Sequence, residues 1–262
     1  MPDGGGSGVT DMAVQAHRGS PDAATGTGAN TIAAFLRARR LGADGVELDV
    51  RLTADHALAV HHDPVVPGLG PLSELRVDEL PGSVPLLAAA LSACDGMTVN
   101  IEVKHLPSEP HHDLAEEAAR AVGQLVSELD LVGQVVVSSF WPPALQAVRA
   151  SFPEVATGLL LPSWSDSGQA VSLARDFGCV AVHPQVALVG PALVDDAHDA
   201  GLAVAVWTVN DAATFRSLSE LGVDTVMTDD VALALSVLHG DAPTTTVDEA
   251  ADPLDPVDGP AA

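Results

Sequence analysis

The stretch TVNIEVK, residues 98–104, alternates apolar and polar side chains without a break and ends on Lys104, the single lysine of the 262-residue chain. Successive side chains of a strand point to opposite faces, so Val99, Ile101 and Val103 share one side while Asn100, Glu102 and Lys104 share the other. GVELDVRLT, residues 45–53, divides in the same way, with Val46, Leu48 and Val50 opposite Glu47, Asp49 and Arg51. MAVQAH, residues 12–17, places Gln15 and His17 together. Strands of this kind need an apolar layer against one face and, on the other, a shared space in which opposite charges meet.

Short runs rich in β-branched residues recur at 134–140, 156–161, 180–184, 202–209 and 225–230, which makes eight predicted strands. An amphipathic stretch follows each of them, at 30–42, 84–94, 113–130, 143–152, 168–178, 192–201, 212–222 and 231–238, and several close on a helix-terminating glycine. Eight such units in roughly 230 residues have the size and rhythm of a TIM (β/α)8 barrel. In that fold the outer strand faces pack on helices, so the polar sets of the first three strands converge on the barrel axis. A further alternation, ALAVHHDP at 57–64, is expected to form a short extra hairpin with the end of strand 2. The barrel domain is expected to span residues 11–240. The Gly-rich segment 1–10 and the segment 241–262, with six acids, no base and four prolines, are expected to be disordered.

Glu47, Asp49 and Glu102 would place three anions in one space of low dielectric, where they repel unless cations or protons intervene. A divalent ion is the economical solution. An all-oxygen donor set selects hard Mg2+ or Ca2+, with Mn2+ also possible, and no Cys or His cluster suggests structural zinc. His17 closes the first strand in AHRG, and His61 and His62 lie in VHHDP, at positions a barrel carries to its catalytic mouth. An imidazole with an ordinary pKa of about 6.5 serves as base or acid near neutrality.

Eleven basic residues against 36 acidic give a net charge of −25, which disfavours nucleic acid and anionic membrane surfaces as partners. Any anionic substrate must be attracted locally. No run approaches the roughly 18 apolar residues of a membrane span. Cys94 and Cys179 form neither a C-x-x-C pair nor a disulfide framework. The N-terminal stretch lacks a basic region followed by an apolar run. These features lead to an expected cytoplasmic location with no stable membrane anchor; they leave the oligomeric state open.

AHRG, then ANTIAAFLRARRLGADGVELDVRLTADHALAVHHDP, NIEVK, VWTVN and TDD, in this order and spacing, resemble the glycerophosphodiester phosphodiesterases from about residue 12 to residue 235. The resemblance implies a TIM barrel that hydrolyses glycerophosphodiesters to glycerol 3-phosphate and an alcohol. It implies a divalent metal on Glu47, Asp49 and Glu102, acid and base roles for His17 and His62, phosphate contacts from Arg18 and Lys104, and an aromatic border to the glycerol pocket from Trp207. It also favours His62 over His61. Two positions depart from the family pattern: Ala29 stands where Pro-Glu-Asn-Thr usually supplies a glutamate, and the stretch 64–84 lacks a segment that often covers the pocket. A lysophospholipase D-like activity, or a weakly catalytic barrel that binds a phosphorylated ligand, are the alternative expectations.

Overall fold

The computed structural model describes residues 12–104 and 114–239. In chain order the elements are β1 (Ala13–His17), α1 (Ile32–Leu41), β2 (Gly45–Leu52), β3 (Leu58–Val60), β4 (Val65–Val66), β5 (Gly70–Pro71), α2 (Leu87–Ala93), β6 (Thr98–Val103) and α3 (Leu114–Glu128). There follow β7 (Val135–Ser139), α4 (Pro142–Ser151), β8 (Ala156–Leu161), α5 (Ser167–Asp176), β9 (Ala181–Pro184), α6 (Pro191–Asp199), β10 (Ala203–Val206), α7 (Ala212–Glu220), β11 (Thr225–Thr228) and α8 (Val231–His239). The strands β1, β2 and β6 to β11 pair side by side in parallel, and β11 returns to β1, so the sheet closes into the expected eight-stranded barrel. The extra strand β3 pairs antiparallel with the end of β2, Val50 opposite Val60 and Leu52 opposite Leu58. A second small hairpin, β4–β5, follows it and was not anticipated. The expected terminal segments 1–10 and 241–262 lie outside the described residues.

The alternation fixes which way each strand faces. Val46, Leu48, Val50, Val99, Ile101, Val103, Val135 and Val137 all belong to the buried cluster under the helices, with Phe35, Leu87, Val122, Leu145 and Phe215 among its other members. Each fully buried residue of this size contributes roughly 1.5–3 kcal/mol through its loss of water contact. The inward sets are held level with one another by the register. His17 pairs with Glu47 and Glu47 with Asn100, while Asp49 pairs with Glu102 and Glu102 with Ser138. The functional layer is therefore a consequence of strand pairing.

Helix starts follow from short-range chemistry. The Thr31 hydroxyl accepts from the Ala34 N–H, and the Asp166 and Asp211 carboxylates accept from Gln169 and from Ala213 and Thr214. Pro142 and Pro191 occupy first positions where a missing N–H is harmless. The strands predicted at 202–209 and 225–230 end earlier, at Val206 and Thr228. Beyond them the Asp229 N–H donates to the Asn210 side chain, and Asp230 caps α8 through Leu233, so these residues leave the ladder to shape the mouth. Among the described residues, no helix is long and apolar enough to cross a membrane.

Candidate active site

At the C-terminal end of the barrel a cavity of 230 Å³ is lined by His17, Arg18, Glu47, His62, Asn100, Glu102, Lys104, Phe140, Leu160, Trp207 and Met227. Seven of the eight residues singled out from the sequence line it. The eighth, Asp49, is fully buried behind the lining and is reached through ion pairs, Arg18 Nε at 3.3 Å and Lys104 Nζ at 3.3 Å. Lys104 Nζ also lies 2.8 Å from Glu102 Oε1 and 6.0 Å from the centre of the Phe140 ring. The lone lysine thus bridges two of the three carboxylates. Phe140 and Trp207 meet edge to face, 5.6 Å apart, and the Trp207 indole N–H donates to the His183 carbonyl, which fixes that side of the wall.

Glu47, Asp49 and Glu102 each offer an oxygen within 4.8 Å of the others, all buried. Two unit charges at 4.8 Å repel by about 3 kcal/mol at an effective dielectric of about 20. The protonation of the group answers that repulsion. Burial, joined by the Asp49 charge, pushes Glu47 up to about 8. Burial also pushes Glu102 up to about 8, against the pull of Lys104. Burial acts against the Asp49 carboxylate as well, but Lys104, Arg18 and His62 together outweigh it and hold Asp49 below the usual carboxylate range. Burial opposes the charge on Lys104 too, and Glu102 and Asp49 overcome it, so the ammonium titrates above its ordinary value.

The donor set fits a hard divalent cation. It is all oxygen, it is buried, and Glu47 Oε1 accepts no hydrogen bond among the described residues although water cannot reach it. The other Glu47 oxygen accepts from the Arg18 backbone N–H at 2.9 Å. That bond depends on a left-handed turn: Arg18 has φ 56° and Gly19 φ 77°. A Cβ at Gly19 would stand 2.8 Å from Ala34 Cβ, so glycine is required both by the backbone and by the packing on α1.

Both candidate histidines sit on the rim with one nitrogen occupied by a carboxylate. His17 Nδ1 is 2.7 Å from Asp229 Oδ1, and its Nε2 is 4.0 Å from Glu47 Oε2. His62 Nδ1 is 2.7 Å from Asp63 Oδ1; burial, then the Lys104 charge, lower its pKa. His61 does not line the cavity, and its Nδ1 meets the Asp63 carbonyl at 2.8 Å. Arg51 supports this corner from β2 by donating its Nε–H to the His62 carbonyl.

Sequence reasoning passed over several residues. Asn30 donates to Asp49 Oδ2 at 2.7 Å and accepts from the Asp49 N–H at 3.3 Å, which clamps the deepest carboxylate. It sits next to Ala29, whose side chain is exposed, so position 30 holds Asp49 where the departure at 29 drew attention. Asn30 has φ 58°, a conformation asparagine tolerates better than most residues, and this turn, which no strand alternation reveals, is what carries its side chain to Asp49. Asp229 and Asn210 were missed because their partners are 212 and 19 residues away in sequence. His183 was also missed: it is buried, and its ring lies against Gly158, where a Cβ would collide with it.

Comparison with known proteins agrees with this geometry. Residues 17–233 match the model of the glycerophosphoryl diester phosphodiesterase family. A glycerophosphodiester phosphodiesterase of Caldanaerobacter subterraneus is 30% identical over 237 residues, covering 83% of this chain and 93% of that protein. A crystal structure of a glycerophosphodiester phosphodiesterase from Parabacteroides distasonis superposes with a TM-score of 0.77 at 26% identity, covering 88% of this chain and 98% of the other. An Oleispira antarctica phosphodiesterase, solved in complex with the product sn-glycerol-3-phosphate, gives 0.75 at 25% identity, covering 87% of this chain and 97% of the other. A barrel that gathers three carboxylates, an ammonium, a guanidinium and two histidines at one mouth, with a family match across nearly all of its described length, belongs to the glycerophosphodiester phosphodiesterases, a family of phosphoric diester hydrolases.

Proposed function

We propose that the chain hydrolyses glycerophosphodiesters to glycerol 3-phosphate and an alcohol at this mouth, with residues 11–240 as its catalytic domain. The observation that carries the reading is the union of one anionic cluster, Glu47, Asp49 and Glu102, with two cations and two imidazoles around a single cavity. The complex of the Oleispira relative with sn-glycerol-3-phosphate supports the product side.

Glu47, Asp49 and Glu102 would hold the divalent ion, Mg2+ or Ca2+ with Mn2+ possible, and the ion would supply positive charge at the phosphorus and neutralise the carboxylates. Arg18 and Lys104 orient the phosphate and take up charge that develops on its oxygens. One imidazole of the pair His17 and His62 accepts the proton of the attacking oxygen, from water or a neighbouring hydroxyl, and the other returns a proton to the departing alkoxide; the hydroxyl route leaves a cyclic phosphate that water then opens to glycerol 3-phosphate. The Nδ1 contacts of both rings leave their Nε2 atoms for this exchange. Trp207 and Phe140 form the apolar wall against which a glycerol backbone can rest.

A substrate panel tests the reading. With saturating divalent metal, release of the head-group alcohol is measured from glycerophosphocholine, glycerophosphoethanolamine and lysophosphatidylcholine, and release of inorganic phosphate from a phosphomonoester. The first two should turn over and the monoester should not. Exclusive turnover of the lysolipid would transfer the site to a lysophospholipase D-like activity, and tight binding of glycerol 3-phosphate without turnover would make it a binding barrel.

A further inference from the structure

We infer that Asp229, tethered by Asn210, is a positioning residue for His17: it fixes the imidazole as the Nδ1–H tautomer and aims the Nε2 lone pair into the mouth. The inference rests on the proposed diester hydrolysis for its kinetic consequence, and on geometry alone for its structural one. Asp229 Oδ1 lies 2.7 Å from His17 Nδ1. An ionised carboxylate only accepts hydrogen bonds, so the proton of a neutral imidazole must reside on Nδ1, leaving Nε2 bare on the side of Glu47 Oε2, 4.0 Å away. The His17 hydrogen bond leads the influences that hold Asp229 below the usual carboxylate range, consistent with an ionised acceptor.

The carboxylate is itself held. Asn210 Nδ2 donates to Asp229 Oδ2 at 2.7 Å, and Asn210 Oδ1 accepts from the Asp229 backbone N–H at 2.9 Å and from the Thr228 hydroxyl at 3.1 Å. One asparagine therefore grips both ends of the aspartate and anchors it to the end of β11. The three residues follow or close β10, β11 and β1, which are consecutive staves of the barrel. Among the described residues His62 has no counterpart of this tether: its carboxylate partner, Asp63, is its chain neighbour and has a side chain 66% exposed. Of the two imidazoles, His17 is the one whose orientation the barrel wall sets.

Asp229→Asn tests this in the full chain with Mg2+ or Ca2+ present. Asn210 would hold the new amide by its oxygen, turning the amide NH2 toward His17 Nδ1 and forcing the Nε2–H tautomer. The expected result is a fall in kcat of about 10²- to 10⁴-fold, the size associated with a misoriented or wrongly protonated catalytic imidazole. KM should stay within about threefold, because Asp229 does not line the cavity. Nitrogen NMR on histidine-labelled protein, with the His17 signal assigned by its loss in His17→Gln, should show Nδ1–H in the parent and Nε2–H in Asp229→Asn. A kcat within about threefold of the parent, or a parent His17 that is not the Nδ1–H tautomer, overturns the inference. Should Asp229→Asn fail to fold, Asn210→Ala keeps the carboxylate and removes its tether; kcat should fall about tenfold at constant KM, and an unchanged kcat overturns the inference equally. Absence of diester hydrolysis in the parent would refute the proposed function, while the tautomer measurement would still decide the role of Asp229.

Discussion

Replacing Lys104 by methionine keeps the unbranched stem, one atom shorter, and removes its charge. Its Nζ stands 3.3 Å from Asp49 and 2.8 Å from Glu102, which at an effective dielectric of about 20 corresponds to gross attractions of roughly 5 and 6 kcal/mol. Most of this offsets the cost of burying the charges, so the net effect on folding is far smaller. In the metal-free variant Glu102 can retain its proton, since burial already pushes it up to about 8 with the ammonium present. Two consequences separate. A bound divalent cation no longer meets a positive neighbour, so metal affinity should hold or rise, and the thermal shift on adding metal should be at least that of the parent. The phosphate loses one charge-assisted hydrogen bond, worth about 1.5–3 kcal/mol, so kcat/KM should fall about 10- to 150-fold. Metal-dependent thermal shifts and glycerol 3-phosphate release are measured on the same preparations. Loss of the metal shift together with activity would reduce Lys104 to a structural counter-ion, and activity within twofold of the parent would remove it from the phosphate altogether.

Glu47→Gln and Glu102→Gln should each abolish most metal binding and turnover while the metal-free barrel stays folded, because each removes a cation ligand yet replaces a carboxyl that already holds its proton near neutral pH when no metal is bound. The two carboxyls are pushed up to about 8, so the folded metal-free protein holds protons that the unfolded chain releases. Their contribution to stability is complete at pH values below the ordinary glutamate pKa and disappears as pH rises through about 8. Melting temperature against pH in chelator should show that decline in the parent and a flatter profile in the Gln variants; parallel profiles would contradict it. His17→Ala and His62→Ala should each lower kcat by about 10²- to 10⁴-fold, with the double variant scarcely worse than either single one. A dead His61→Ala beside an active His62→Ala would reverse their assignment. Burial lowers His183 to about 4; the neutral ring then stabilises the fold above the ordinary histidine pKa and loses about 3 kcal/mol of that contribution as pH falls through 4. His183→Gln should flatten the acid limb of the stability curve, and Gly158→Ala, which drives a methyl into the same ring, should cost about 1–3 kcal/mol by chemical denaturation.

The barrel and much of its mouth were legible because both rest on a period of two. Glu47 with Asp49 and Asn100 with Glu102 with Lys104 reveal their shared face within a few residues, and closure of eight strands brings those faces to one axis. Loop partners carry no such period. Asn30 reaches Asp49, and Asn210 reaches Asp229, across turns whose shape depends on single residues with positive φ or on hydrogen bonds that end a strand. The β4–β5 hairpin escaped for a related reason: strands of two residues are too short to show alternation. The end of β10 was drawn too long because Trp207, Thr208 and Val209 continue its apolar and β-branched run, and that of β11 because the Asp229 N–H turns to the Asn210 side chain, a partner that strand alternation does not reveal.

The most direct measurement is a titration of chelated parent protein with Mg2+, Ca2+ or Mn2+, following release of glycerol 3-phosphate from glycerophosphocholine. The rate should rise from background to a plateau with at least one of these ions, and the same titration of Glu102→Gln should stay near background. A full rate in the chelated parent, or an equal rise in Glu102→Gln, would show that Glu47, Asp49 and Glu102 do not form the cation site on which hydrolysis depends.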